Sequence, residues 1–165
     1  MNLSCHIESP LWSDTDPESL ARLAVVAVLT DRCIALDGCE VSLLATDDAG
    51  QAALNAEHRG KARPTNVLSW PAQNLAPKHP GIVPLAPQRD AFGDIVLGDI
   101  ALAYETCARE AAEQGKSLAD HVTHLIVHGT LHLLGYDHVR DADATVMEGL
   151  ETAILAKLGI ADPYT

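Results

Sequence analysis

Aromatic side chains are scarce in this sequence: one Phe, two Trp and three Tyr make up 4% of its 165 residues. A core built from it must rest on Ala, Leu, Val and Ile. Basic residues are scarce as well. Eleven Lys and Arg stand against 23 Asp and Glu, a formal charge of −12, so the surface as a whole repels phosphate. That excludes a protein that coats nucleic acid generically, and confines any nucleic-acid chemistry to a local basic patch or a metal ion. No two cysteines have the CxxC spacing; Cys5, Cys33, Cys39 and Cys107 stand singly. A dense disulfide framework is excluded, and reduced thiols in a cytoplasmic protein are expected. These cysteines read as buried apolar residues, with a structural zinc site as the other reading. The opening MNLSCHIESPLW has no basic stretch followed by an apolar one, so no secretory signal is visible. The most apolar helical run, Leu23 to Leu29, is far too short for a bilayer and is flanked by Arg22, Asp31 and Arg32. Nor is there an internal repeat beyond the echo of Gly93-Asp94-Ile95 in Gly98-Asp99-Ile100.

What is present describes a folded globular chain, with 47% hydrophobic and 21% charged residues. A chain of this length typically buries about 68–70% of its unfolded surface and needs neither disulfide nor metal merely to fold. A first strand is expected over Leu3–Glu8. Asp16 as N-cap and Pro17 at the first helical position start a helix running to about Cys33. Val41 to Ala45 alternate as a strand, and a helix follows from Ala49 to about His58, closed by Gly60. Thr65 to Trp70 is a compact strand. Five prolines between Pro71 and Phe92 exclude a helix or central strand there, so this stretch reads as an excursion inside one domain. Strand returns at 93–97. Helices are then expected from Ala101 to Glu113, from Ser117 to Leu134 with Ser117 as N-cap, and from Asp141 to Leu158. The class is α+β (α/β), one compact domain over residues 1–165. A small mixed sheet of about four strands is expected, packed by about five helices.

Five of the eight histidines fall between His121 and His138. His128 and His132 share one helical face on adjacent turns, differing by about 40° in direction and about 6 Å along the axis. Their imidazoles can converge on one ion. Gly135 can end the helix in the left-handed conformation and turn the chain back, bringing His138 beside them. The pattern HxxxHxxGxxH, from His128 to His138, has the ligand spacing of the metzincin metalloproteases. The Glu that follows the first His there, a general base, is replaced by Gly129. The cradle is kept without the peptidase base. Three neutral imidazoles suit one Zn²⁺ per chain, with a fourth position for water, on a helix like that of zinc hydrolases. His121 and His124 lie on the same face and read as capping residues or as supports of the ligands.

HGTLHLLGYDH resembles the signature of the YbeY family of bacterial rRNA-maturation endoribonucleases. Leu54-Asn55-Ala56-Glu57-His58-Arg59-Gly60-Lys61 followed by Pro64-Thr65-Asn66-Val67-Leu68-Ser69-Trp70-Pro71 is similar to a second segment of that family. So are Gly93-Asp94-Ile95, the later Met147, Glu148 and Glu151, and the closing Asp162-Pro163-Tyr164. The segments are in order over roughly two-thirds of the chain. Trp70 stands where Phe is usual, and the Pro-rich stretch before Gly93 is long. The resemblance implies a compact α/β fold with a hydrolytic metal site and single-strand-specific cleavage of RNA. It implies work on the small ribosomal subunit: 3′-end maturation of its RNA and ribosome quality control. The expected partners are single-stranded rRNA, the small subunit with its proteins and a ribosome-assembly GTPase, with no DNA and no membrane. His128, His132 and His138 carry over as metal ligands and Arg59 as the positively charged catalytic residue.

Arg59 sits in the densest basic cluster of an acidic chain, His58 to Arg63. Its guanidinium suits phosphate and the charge that develops on phosphorus; a solvated helix end is the other reading. The same two readings apply to Lys61 and Arg63. Thr65 to Ser69 reads as an edge strand lining the substrate cleft, with Thr65 and Ser69 as substrate-binding candidates, or as a plain strand with a polar face. Asp94 and Asp99 read as turn residues or as aids to a second metal, and Asp137 as a cap or as a support for an imidazole. Trp12 and Trp70 read as packing residues or as stacking surfaces for bases. The expected chemistry is metal-assisted phosphodiester hydrolysis, with bound water and the RNA 2′-hydroxyl both open as nucleophile. Two rivals are a peptidase-like zinc hydrolase and a metal-bearing ribosome-assembly factor whose work is binding.

Overall fold

The computed structural model describes residues 1–59 and 65–165, and for His58 and Arg59 the backbone alone. Four strands, β1 (Asn2–Ile7), β2 (Cys39–Thr46), β3 (Val67–Pro71) and β4 (Ile95–Ala103), form one sheet in the order β1-β2-β4-β3. β1 and β4 both pair parallel to β2, whereas β3 pairs antiparallel to β4. The sheet is therefore mixed, and β1 and β3 are its edges. Five α-helices surround it: α1 (Pro17–Asp31), α2 (Asp48–Arg59), α3 (Tyr104–Glu113), α4 (Leu118–Leu133) and α5 (Asp141–Lys157). No described helix is long and apolar enough to cross a membrane.

Helix starts follow their capping residues. Asp16 accepts from the Ser19 N–H at 3.1 Å ahead of Pro17, and Ser117 accepts from the Asp120 N–H at 3.1 Å. α4 is buried almost all round, through Val122, Leu125, Ile126, Val127, Leu131 and Leu133. It lies across β3 and β4 on one side and meets α1, α3 and α5 on the others. Such a helix is held on every side, and what it carries at its end is held with it. At Gly129 a Cβ would touch the Ile100 side chain at 3.4 Å, so this residue faces the sheet.

β4 runs on to Ala103, and α3 begins only at Tyr104, not at Ala101. Ala101, Leu102 and Ala103 pair with β2 on one side, and Ala101 and Leu102 with β3 on the other. A short apolar run buried on both faces has no alternation to mark it as strand. A bulge interrupts the β2–β4 pairing: Glu40 faces Val96 while Val41 faces Gly98. Gly98 has φ +137°, and a Cβ there would lie 2.2 Å from the Trp70 carbonyl oxygen. The extra residue shifts the side-chain phase by one position. Ile95 and Leu97 are buried before it and Ile100 and Leu102 after it, which leaves Asp99 exposed. Also absent from the sequence reading is a 3₁₀ helix, Pro10–Asp14, capped by Ser9. It buries Trp12, whose Nε1 donates to the Thr46 carbonyl at 2.8 Å, and settles that residue as packing.

The Pro-rich stretch has no regular structure but is closed on itself. The Leu85 N–H donates to the Leu75 carbonyl at 3.0 Å. The Gln73 amide brackets the Gln88 backbone at 2.9 and 3.0 Å. On α5 the Asp143 carboxylate accepts from the Gly81 N–H at 2.8 Å and from Arg140 Nε at 2.6 Å.

Candidate metal centre

α4 sets His128 and His132 one turn apart, with ring centroids at 4.6 Å. Past its last residue the chain reverses in a Schellman turn. The Gly135 N–H donates to the His132 carbonyl and the Tyr136 N–H to the Leu131 carbonyl, both at 3.0 Å. Gly135 has φ +99°, and a Cβ there would sit 2.7 Å from the Leu75 backbone. Only glycine satisfies both conditions. The reversal returns His138 to within 5.2 Å of the His128 ring and 5.1 Å of the His132 ring, centre to centre. One nitrogen from each ring lies within 4.8 Å of the others. Asp137 accepts from the His138 N–H at 2.7 Å, so it caps this turn.

The outer nitrogens decide what the inner ones present. His132 Nδ1 faces the Tyr136 carbonyl oxygen at 2.9 Å, and His128 Nδ1 faces Glu151 Oε1 at 2.5 Å. A carbonyl and a carboxylate can only accept, so each Nδ1 carries a proton, and in a neutral ring that leaves the lone pair on Nε2. The two Nε2 atoms face each other across 3.1 Å. With both rings neutral, that arrangement is repulsive alone and favourable around a cation. Burial first, then the His128 and His138 rings, push His132 down to about 4, so it is neutral at neutral pH, as a ligand must be.

Glu151 is a fully buried carboxylate on α5. Burial pushes its pKa up, but hydrogen bonds from His124 and His128 outweigh that and hold it at about 2. His124 Nε2 donates to its second oxygen at 3.1 Å, and the Tyr164 hydroxyl donates to that same oxygen. Burial and the neighbouring carboxylate raise Tyr164 well above the ordinary phenol range. His121 stands one step further off, with Nε2 on Glu110 Oε1 at 3.0 Å, where Asn66 Nδ2 also donates. The sequence reading assigned no role to Glu151 or Tyr164. The available signal was a charged residue in the apolar stripe of a helix: Glu151 shares the buried face of α5 with Met147, Ile154 and Leu155.

An open cleft of about 840 Å³ lies over the trio. Its far wall is the edge of β3, where Val67 and Ser69 line it, followed by Gln73 to Ala76. No Lys or Arg lines it among the described residues. Thr65 is not among the lining residues; its hydroxyl donates to the Val67 carbonyl at 3.2 Å. Arg59 closes α2. Its side chain, like Lys61 and Arg63, lies outside the described residues. The four cysteines are free, and burial pushes the Cys107 thiol up to about 12. Among the described residues, neither they nor Asp94 and Asp99 belong to a group able to hold a metal.

The profile of a family described as Endoribonuclease YbeY matches residues 11–159. A protein named Endoribonuclease YbeY from Ruegeria pomeroyi is 59% identical over 165 residues, covering all of this chain and 99% of the relative. One of the same name from Jannaschia sp. is 54% identical, covering 99% of this chain and all of the relative. A third, from Paramagnetospirillum magneticum, is 46% identical over 99% and 96% of the two chains. A solution structure from Thermotoga maritima aligns over 99% of both chains with a TM-score of 0.51 and 18% identity, a likeness of fold.

Proposed function

Because the chain belongs to the endoribonuclease YbeY family, we propose that it is a zinc-dependent endoribonuclease acting on single-stranded ribosomal RNA. Its task is 3′-end maturation of the small-subunit RNA and ribosome quality control in the cytoplasm, working with the small subunit's proteins and a ribosome-assembly GTPase. The observation that carries the metal dependence is the pair of Nε2 atoms facing each other at 3.1 Å. Two nitrogens bound tetrahedrally at ~2.0–2.1 Å to one zinc stand about 3.3 Å apart. His128, His132 and His138 would hold the ion. When bound, it supplies Lewis acidity to a phosphate oxygen and to water.

The chain's own residues do the rest. The β3 edge, with Ser69 in the cleft wall, holds an extended strand against the trio, with Thr65 at its start. Arg59 offsets charge that develops on phosphorus, and Lys61 and Arg63 steer the flanking phosphates. Gly129, which faces Ile100, argues against a peptidase, because it removes the carboxylate base that peptide hydrolysis on this cradle uses. Elemental analysis should find one zinc per chain, falling sharply in His132→Ala together with cleavage of a single-stranded RNA. Arg59→Glu should abolish turnover and keep zinc. Wild-type protein that cleaves RNA equally well without zinc sinks the reading, and cleavage of casein in place of RNA supports the peptidase.

A further inference from the structure

A fully buried carboxylate is a costly occupant for the apolar stripe of α5, where a methionine or leucine would fill the space without desolvating a charge. Glu151 stands there with Met147 one turn before and Ile154 and Leu155 one turn after. It accepts three hydrogen bonds, and they come from different parts of the chain. His128 and His124 donate from α4, and Tyr164 donates from the segment that follows α5. That segment is tied down locally: Asp162 Oδ1 accepts from the Tyr164 N–H at 2.9 Å and from the Thr152 hydroxyl at 3.2 Å. The Tyr164 ring stands edge-on to His124, with centroids 6.1 Å apart. Although Tyr164 is 48% exposed, its hydroxyl ends on a carboxylate that is wholly buried.

We infer that Tyr164 is a positioning residue for the metal centre: it acts through Glu151 to set the tautomer and ring orientation of His128. The reasoning runs through the rotation of one carboxylate. With His124 and Tyr164 both on Oε2, Oε1 is turned toward His128 Nδ1 and accepts its N–H. The Nε2 lone pair is thereby aimed at His132 and His138. Remove the Tyr164 hydroxyl, and Oε2 keeps a single donor. The carboxylate can then rotate, and the His128 ring loses its fixed reference. Supports of this kind typically change metal affinity by about 10–100-fold. Asp162-Pro163-Tyr164 thus belongs to the site functionally, although Tyr164 touches no ligand nitrogen.

The inference rests on the proposal that the trio holds zinc, and its test separates the two. Zinc affinity is measured by competition with a chromophoric chelator for the full chain, Tyr164→Phe and Glu151→Gln. Cobalt(II) is then substituted and its visible absorption recorded. Tyr164→Phe should bind zinc about tenfold more weakly and give a shifted cobalt spectrum, with an unchanged melting temperature in the metal-free form. Glu151→Gln should show a larger loss in the same direction. Wild-type affinity and an unshifted cobalt spectrum in Tyr164→Phe overturn the inference and leave the zinc site standing. Failure of the wild-type chain to bind zinc at all overturns both.

Discussion

His132 carries a pH dependence that can be read without any metal. Its folded-state pKa is about 4 against an ordinary 6.5, because burial and two neighbouring imidazoles disfavour its charge. An unfolded chain takes up the proton as pH falls through 6.5, and the folded chain refuses it until about 4. The contribution of a neutral His132 is therefore complete above 6.5, is lost progressively across that window, and levels off below about 4. Urea midpoints of the chelator-treated protein should fall across that interval, and His132→Gln should flatten the fall. Equal slopes for the two proteins would mean that His132 titrates as freely in the folded state as in the unfolded one. Glu151 acts in the same sense but lower, between its ordinary 4.5 and about 2.

Among the elements, the turn after α4 is where local and tertiary demands coincide. Gly135 must be left-handed to close the Schellman turn and must lack a Cβ to let the Leu75 backbone pass. Gly149, exposed in the middle of α5, has neither requirement, and nothing lies within 4 Å of a Cβ placed there. The two alanine variants should thus move in opposite directions. Gly135→Ala should lose at least about 2 kcal/mol, since left-handed backbone alone costs a residue with Cβ roughly 1–2 kcal/mol and the contact with Leu75 adds to it. Gly149→Ala should gain about 0.5–1 kcal/mol from helix propensity and reduced unfolded-state freedom. Denaturant unfolding reads both, and equal shifts would remove the argument from the turn. The same contrast explains which elements were legible in the sequence. The caps at Asp16 and Ser117, the histidine spacing and the stop at Gly135 are local signals, each decided within one turn of helix. The extension of β4 to Ala103 is decided by β2 and β3 on either side of it, and the role of Glu151 by its packing against the preceding helix α4. Neither leaves a mark on its immediate neighbours beyond a residue type that looks out of place.

Across the whole molecule, a formal charge of −12 and a cleft without a described lysine or arginine predict how RNA binding responds to salt. Few phosphates are neutralised, so the logarithm of affinity should fall with the logarithm of salt at about −0.7 per phosphate, on the order of −2 to −3 in all. A rigid duplex cannot lay a single strand along the β3 edge and should bind more weakly. Titrations of a short single strand and its duplex over a salt series check both points, and a steep slope would require an extended basic surface. Chain order adds a consequence in time. The helix and turn that carry the histidines precede α5 and Tyr164, and synthesis delivers them first. While α4 is already out and α5 is not, His128 has no Glu151 to fix its tautomer. On the proposed zinc site, a chain still attached to the machine that makes it should compete poorly for metal until its last helix has docked.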